Sequence, residues 1–361
     1  MGKRVNLLQE WVDQQVKGLK GLEVKTTALQ AISGDASFRH YFRLQANEET
    51  LIAVDAPPGT ENNPAFVAIA DALHSGGALV PLVHAFDINR GFLLLSDLGD
   101  QQLLGLLNTD TVDRYYRKAL DSLILMQKLQ CADIKRLEKD WAFSCPDYDL
   151  KRLQDEMHLF SDWFLAQYLD LHLNQTRQYS LEHAFNLLAA SALEQPQVFV
   201  HRDYHSRNIM VTSDDSLAII DFQDGVCGPI TYDLVSLLKD CYVSWPSQQV
   251  NQWLMLYAEA AQQAALFGAA GVRKEQLLKW FDWMGVQRHL KAIGIFARLK
   301  IRDNKSGYLK DIPRTFNYML DASQRYPELE LLHQTLIDLV LPKLLKVNPD
   351  AALCIDGQFL P

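Results

Sequence analysis

A short strand-like island inside a helix-rich stretch constrains this chain more than any other feature. Residues 198–222 of the 361 contain the apolar runs NIMV and LAIIDF, separated by the turn cluster SDDS. Such a pattern predicts a small hairpin with polar residues at both mouths. Asn208 opens the first run and Asp221 closes the second, so folding the hairpin brings them together. Just upstream lies HRDYHSRN, residues 201–208.

The rest of the chain gives the island its setting. Residues 5–19 read as an amphipathic helix with Leu8, Trp11, Val12 and Val16 on one face. ALQAI (28–32), FRHYFRLQ (38–45), LIAVDAP (51–57), PLVHAFD (81–87) and GFLLLSDL (91–98) read as five strands, with a helix inserted over 64–75. Beyond Gly99 the character changes. Helical stripes run through Tyr116, Leu120, Leu123 and Ile124, and through Leu153, Met157, Phe160 and Phe164. They continue over 180–194, 230–240, 247–267, 275–302 and 328–345. The chain therefore reads as α+β with two lobes, a strand-rich 1–98 and a mainly helical 99–361.

Two chemistries fit HRDYHSRN. His201, Asp203 and His205 alternate like metal ligands, which would suit a metal hydrolase. That reading needs further ligands elsewhere and leaves Asn208 and Asp221 unexplained. Alternatively, Asp203 orients an acceptor hydroxyl and takes its proton, while Asn208 and Asp221 supply oxygen ligands for magnesium, as phosphoryl transfer requires. His201 then serves to brace the loop, and Asp233, near the start of a helix, is placed to accept a hydrogen bond from His201 or Arg202.

Composition narrows the partners. A net charge of −9 argues against a general nucleic-acid binder. Five cysteines without a C-x-x-C spacing fit reduced thiols in the cytoplasm better than a disulfide framework. The N-terminus lacks the apolar run of a signal peptide, and no run is long enough to span a membrane.

The segments HRDYHSRNIM and IIDFQD resemble those of the aminoglycoside phosphotransferase and choline kinase group. The resemblance implies a two-lobed protein-kinase-like fold, ATP as co-substrate and Mg2+. DAPPGTENNPAF, LLLSDLGD, DFQDGVCGPITYDLVSLLKDCYVSWP and QRHLKAIGIFARL are similar, more narrowly, to bacterial kinases of amino sugars. That similarity implies phosphorylation of the anomeric hydroxyl of N-acetylmuramate or N-acetylglucosamine, in cell-wall sugar recycling. Both the resemblance and the chemistry select Asp203 as base and Asn208 and Asp221 as metal ligands.

The resemblance also exposes a departure. Kinases of this group usually carry a lysine on the third strand, paired with a glutamate on the next helix. Here the strand is LIAVDAP and the helix PAFVAIADALHSG, so both partners are missing. Another cation has to meet the nucleotide phosphates, and Arg39 or Arg43 can add charge. Arg43 on the second strand is the candidate, with Asp71 as its helix partner. The turn 33–37, through Gly34 and Ser37, is placed to cover the phosphates. Ser96, Asp97 and Leu98 lie where adenine would meet backbone groups. For the acceptor, Tyr204, His205, Arg207, Asp224 and Arg288 are the candidates. Arg288 is a charge in an otherwise apolar helix and, like Arg207, a suitable partner for a substrate carboxylate. An aminoglycoside, an amino alcohol or another sugar is the alternative acceptor, and the missing lysine is what supports a nucleotide-binding scaffold without activity.

Overall fold

The computed structural model describes residues 2–18, 28–32, 38–47, 49–349 and 351. By its contacts the chain divides into two compact units. One comprises residues 1–105, 129–145 and 207–225, the other 106–128, 146–206 and 226–361.

The first unit is built on an antiparallel sheet. Its elements are α1 (Gly2–Gly18), β1 (Gln30–Ile32), β2 (His40–Ala46), β3 (Glu49–Asp55), α2 (Asn63–Ser75), β4 (Val83–Asp87) and β5 (Phe92–Ser96). The five strands are ordered β1-β2-β3-β5-β4. The period-two rule decides what each face does. Phe42, Leu44 and Ala46 of β2, with Leu51 and Ala53 of β3 and Phe92 and Leu94 of β5, bury against Leu8, Trp11, Val12 and Val16 of α1. Tyr41 and Arg43 therefore fall on the opposite face of β2. Gly91 has φ +73, and a Cβ there would collide with the Ala56 carbonyl, so the β4–β5 turn requires glycine.

All five expected strands and the inserted helix are present. The sequence reading passed over a short hairpin further on. After α3 (Val112–Gln127), β6 (Lys135–Leu137) pairs with β7 (Ala142–Ser144) and rejoins the first unit. Its strands are three residues each, too short for alternation to register.

In the second unit, α4 (Leu150–Leu159) passes directly into a π-helical segment, Phe160–Tyr168, and is followed by α5 (Gln175–Leu193). Then come β8 (Gln197–Val200), the hairpin β9 (Ile209–Val211) and β10 (Leu217–Ile219), which belongs to the first unit, and β11 (Val226–Pro229). β11 pairs antiparallel with β8. Next are α6 (Tyr232–Leu238), α7 (Ser247–Gln263), α8 (Lys274–Asp303) and α9 (Ile312–Arg325). The central helix is α8, which packs on α4, the π-helical segment, α5, α6 and α9. At Gly294 a Cβ would strike the Leu159 backbone, so only glycine allows this approach. The expected helix over 328–345 is α10 (Glu330–Thr335), a π turn over Leu336–Val340, and α11 (Leu341–Val347). Pro342 has no N–H for the regular ladder, which accounts for the irregular turn before it.

Candidate active site

The loop 201–206 leaves β8 within the second unit, and two buried carboxylates hold its backbone. Asp233, at the start of α6, accepts the N–H groups of His201 (2.6 Å) and Arg202 (3.0 Å). This is the bracing role expected of it. Asp240 accepts both the N–H (2.9 Å) and the hydroxyl (2.6 Å) of Ser206. His201 is fully buried, and its Nδ1 accepts the Asp203 N–H at 3.3 Å. Arg202 has φ +75, a conformation rare outside glycine, held in place by these bonds.

Asp203 is surrounded by positive charge. Burial alone would raise its carboxyl. The charges of Lys291, Arg288 and Arg202, with the His205 ring beside them, outweigh that and hold it well below the usual carboxylate range. Those charges are fixed in turn by Glu156 on α4. Glu156 pairs with Arg202 and, at 3.3 Å, with Lys291, and it receives the Tyr148 hydroxyl. Burial opposes ionisation of Glu156, but Lys291 and Arg202 prevail and its carboxyl is lowered. Lys291 also donates to the Tyr232 hydroxyl at 2.9 Å. Burial acts to lower the Lys291 ammonium, yet Glu156, Tyr232 and Asp203 push it up to about 12.

Two polar atoms beside this cluster are unspent. His205 Nδ1 and Arg288 Nε are buried without a hydrogen-bond partner among the described residues. Burial, helped by Arg288 and His201, lowers the His205 imidazole despite Asp240 and Asp203, so it is neutral near pH 7. Arg288 is 4% exposed and lies 3.8 Å from the Cys241 sulfur, with no carboxylate in ion-pair reach among the described residues. Tyr204 differs from expectation. It is fully buried and gives its hydroxyl to the Ala119 carbonyl at 2.8 Å, which makes it a packing residue and leaves nothing for a ligand.

In the first unit, the β9–β10 hairpin forms as the sequence predicts. Ile209 pairs with Ile219, and the Ile220 N–H donates to the Asn208 carbonyl at 3.1 Å. The side chains of Asn208 and Asp221 meet at 3.3 Å. Asp221 has φ +66 and is exposed, and its other oxygen accepts from Gln223 at 2.7 Å. An amide and a carboxylate placed together here provide hard oxygen donors, which fit magnesium. Among the described residues no group of three His, Cys, Asp or Glu side chains is placed to hold a metal, so His201, Asp203 and His205 do not form the alternative hydrolase site. Arg207 is part-buried and Asp224 is exposed.

At the nucleotide end, Gly34 and Ser37 lie outside the described residues. Arg43 corrects the expectation. It is held by Asp97 (2.6 Å) and Asp100 (2.8 Å), while Asp71 pairs with Arg136. Two carboxylates already match the Arg43 charge, so it is a strut between β2 and the end of β5 rather than a spare cation. The Ser96 hydroxyl accepts the Leu82 N–H at 2.9 Å, and Asp97 also accepts from the Gly99 N–H, leaving the backbone at 97–98 as the adenine-facing candidate.

Sequence reasoning missed Asp240, Glu156 and Lys291. Lys291 was within reach. It follows Arg288 by one turn of the same apolar helix, so the argument that marks Arg288 as an odd charge marks Lys291 too.

Comparisons with known proteins extend the picture. The phosphotransferase enzyme family matches residues 28–274. The N-acetylmuramate/N-acetylglucosamine kinase of Pseudomonas putida is 42% identical over 340 residues, covering 93% of this chain and 96% of that protein. Its namesake in Pseudomonas aeruginosa is 43% identical over 317 residues, covering 88% and 90%. Among solved structures, choline kinase from Streptococcus pneumoniae superposes with a TM-score of 0.59 at 13% identity, over 87% of this chain and 99% of that one. At that identity the likeness speaks for the fold, and it agrees with the two-lobed α+β reading.

Proposed function

The chain belongs to the phosphotransferase enzyme family, and from that premise we propose that it phosphorylates the anomeric hydroxyl of N-acetylmuramate and N-acetylglucosamine with ATP. The observation that carries phosphoryl transfer is the meeting of Asn208 and Asp221 at the mouth of the hairpin, five residues along the chain from an ionised Asp203. The sugar is supported by the two Pseudomonas kinases, and its role in cell-wall recycling goes with that assignment.

Asp203 accepts a hydrogen bond from the anomeric hydroxyl and aims its oxygen at the γ-phosphorus. As the new P–O bond forms, the bond to the ADP oxygen breaks and the hydroxyl proton passes to Asp203. A carboxyl held this far below its usual range is a weak base. It therefore orients the hydroxyl early and takes the proton late, which suits a transition state with little nucleophile bonding. Asn208 and Asp221 are the residues that would hold Mg2+, which when bound offsets phosphate charge. The backbone at Asp97 and Leu98 faces adenine. His205, Arg207 and Asp224 address the sugar hydroxyls. Arg288, buried and without a carboxylate partner, suits the lactyl carboxylate that N-acetylmuramate has and N-acetylglucosamine lacks. Among the described residues no helix is long and apolar enough to cross a membrane, and Cys131, Cys145, Cys227 and Cys241 form no disulfide. Both facts favour a cytoplasmic site of action.

The direct test is ADP release from purified protein with magnesium-ATP, with and without N-acetylmuramate, and NMR of the sugar product. Sugar-dependent ADP with a 1-phosphate is expected. Sugar-independent or absent ADP release would sink the assignment.

A further inference from the structure

The first unit has to meet a polyanion without the usual lysine, and Arg43 is already matched by two carboxylates. Arg39 occupies a different position. It directly precedes β2, a few residues past the turn expected to cover the phosphates, and its side chain is 2% exposed. Its guanidinium pairs with one Glu61 oxygen at 3.0 Å, while the other Glu61 oxygen accepts the Phe38 N–H at 3.1 Å. Glu61 lies just ahead of α2, so one carboxylate fixes both the chain leaving the turn and the cation beside it.

Packing ties Arg39 to the metal-ligand side. Its guanidinium lies 5.6 Å from the centre of the Phe66 ring, and Phe66 packs at 5.0 Å on Phe222, the neighbour of Asp221. A guanidinium shielded from water and positioned by Glu61 acts through a low-dielectric surrounding, where its field is stronger than in water.

We infer that Arg39, positioned by Glu61, is the cation that meets the nucleotide phosphates beside Asp221, the lysine–glutamate pair of related kinases having moved to the start of β2 and the turn before α2. The inference rests on the kinase reading above and names the phosphate-binding residue of that same site. Arg39 and Glu61 carry the charges of the missing pair in the same unit, from neighbouring elements.

The test is calorimetric titration of magnesium-ATP and, separately, of adenosine into the full chain and its Arg39→Met, Arg39→Lys and Glu61→Gln variants, with thermal midpoints recorded. Losing one charge-assisted contact should weaken ATP binding about ten- to a hundredfold in Arg39→Met. Adenosine affinity should stay at the wild-type value, because it brings no phosphate. Arg39→Lys should recover part of the loss. Glu61→Gln should weaken ATP less than Arg39→Met, since it frees the cation instead of removing it. Unchanged ATP affinity in Arg39→Met, or equal loss of ATP and adenosine, would overturn the inference. If Arg39→Met does not fold, Arg39→Lys decides, with selective weakening of ATP expected and unchanged affinity overturning it. Wild-type protein that binds ATP but phosphorylates no amino sugar would remove the proposed acceptor and leave Arg39 standing. Wild-type protein that binds no ATP would end both.

Discussion

The loop 201–206 and the hairpin mouth at Asn208 and Asp221 are neighbours in sequence, yet they are built in opposite ways. The loop is locked. Two buried carboxylates take its backbone N–H groups, and a buried set of Glu156, Lys291, Arg202 and Arg288 fixes the charge around Asp203. The carboxylate at the hairpin mouth is open to solvent. Asp221 is exposed and accepts from Asn208 at 3.3 Å and from Gln223 at 2.7 Å. The difference teaches that a group which must aim a proton acceptor is fixed before substrate arrives. Groups that coordinate an ion can take their final geometry from it.

Removing the aimed group should have the largest effect. Asp203→Asn should lower kcat by about two to four orders of magnitude while leaving ATP affinity nearly intact. Coupled ADP assay and calorimetry together check this, and normal turnover would remove Asp203 from the mechanism. Breaking the lock behind it comes next. Glu156→Gln leaves Lys291 and Arg202 without their buried counter-ion and should cost about 3–5 kcal/mol of stability in urea unfolding. A loss under about 1 kcal/mol would mean the cluster is solvated after all. Asp233→Asn keeps the shape but exchanges a charged acceptor of two N–H bonds for an amide that accepts less well. About 2–3 kcal/mol of destabilisation is expected, with a lower kcat for the variant that still folds. A stable, fully active variant would show that the loop needs no clamp.

Two smaller effects sharpen the comparison. Arg288→Met should reduce kcat/KM for N-acetylmuramate about tenfold relative to N-acetylglucosamine, because only the former carries a carboxylate. Equal losses on both sugars would assign Arg288 to Asp203 alone. Finally, Asp203 should contribute no acid limb to the pH profile between about pH 5 and 8. Its folded carboxyl lies below its unfolded value, so the ion-pair stability it supplies is present above the ordinary carboxylate range and is lost only as pH falls through the lower, folded value. A limb in that window that disappears in Asp203→Asn would show that the surrounding cations do not act as the geometry indicates.

Much of the site was legible before any coordinates. Asp203, Asn208 and Asp221 are residue types that phosphoryl transfer needs, at spacings that a hairpin closes, and the hairpin itself follows from two apolar runs around SDDS. The residues that hold them were not legible by the same means. Asp240 and Glu156 lie far along the chain from the loop they serve, and nothing local in LLKDC or LQDEM announces that a carboxylate will be buried. Arg43 shows the reverse error. Its charge and its place on the second strand made it the candidate cation, but only the fold revealed Asp97 and Asp100 already matching its charge, and set Arg39 against Glu61 instead.

What the sequence determined by itself is periodic or local. Alternation set the five strands and their buried face, helical stripes set the second unit, and the hairpin set the meeting of Asn208 and Asp221. Tertiary structure decided which charges share a buried space. Apolar burial is non-directional and leaves its signature in composition along each element, whereas the worth of an ion pair depends on distance and exposure between residues that sequence order does not relate.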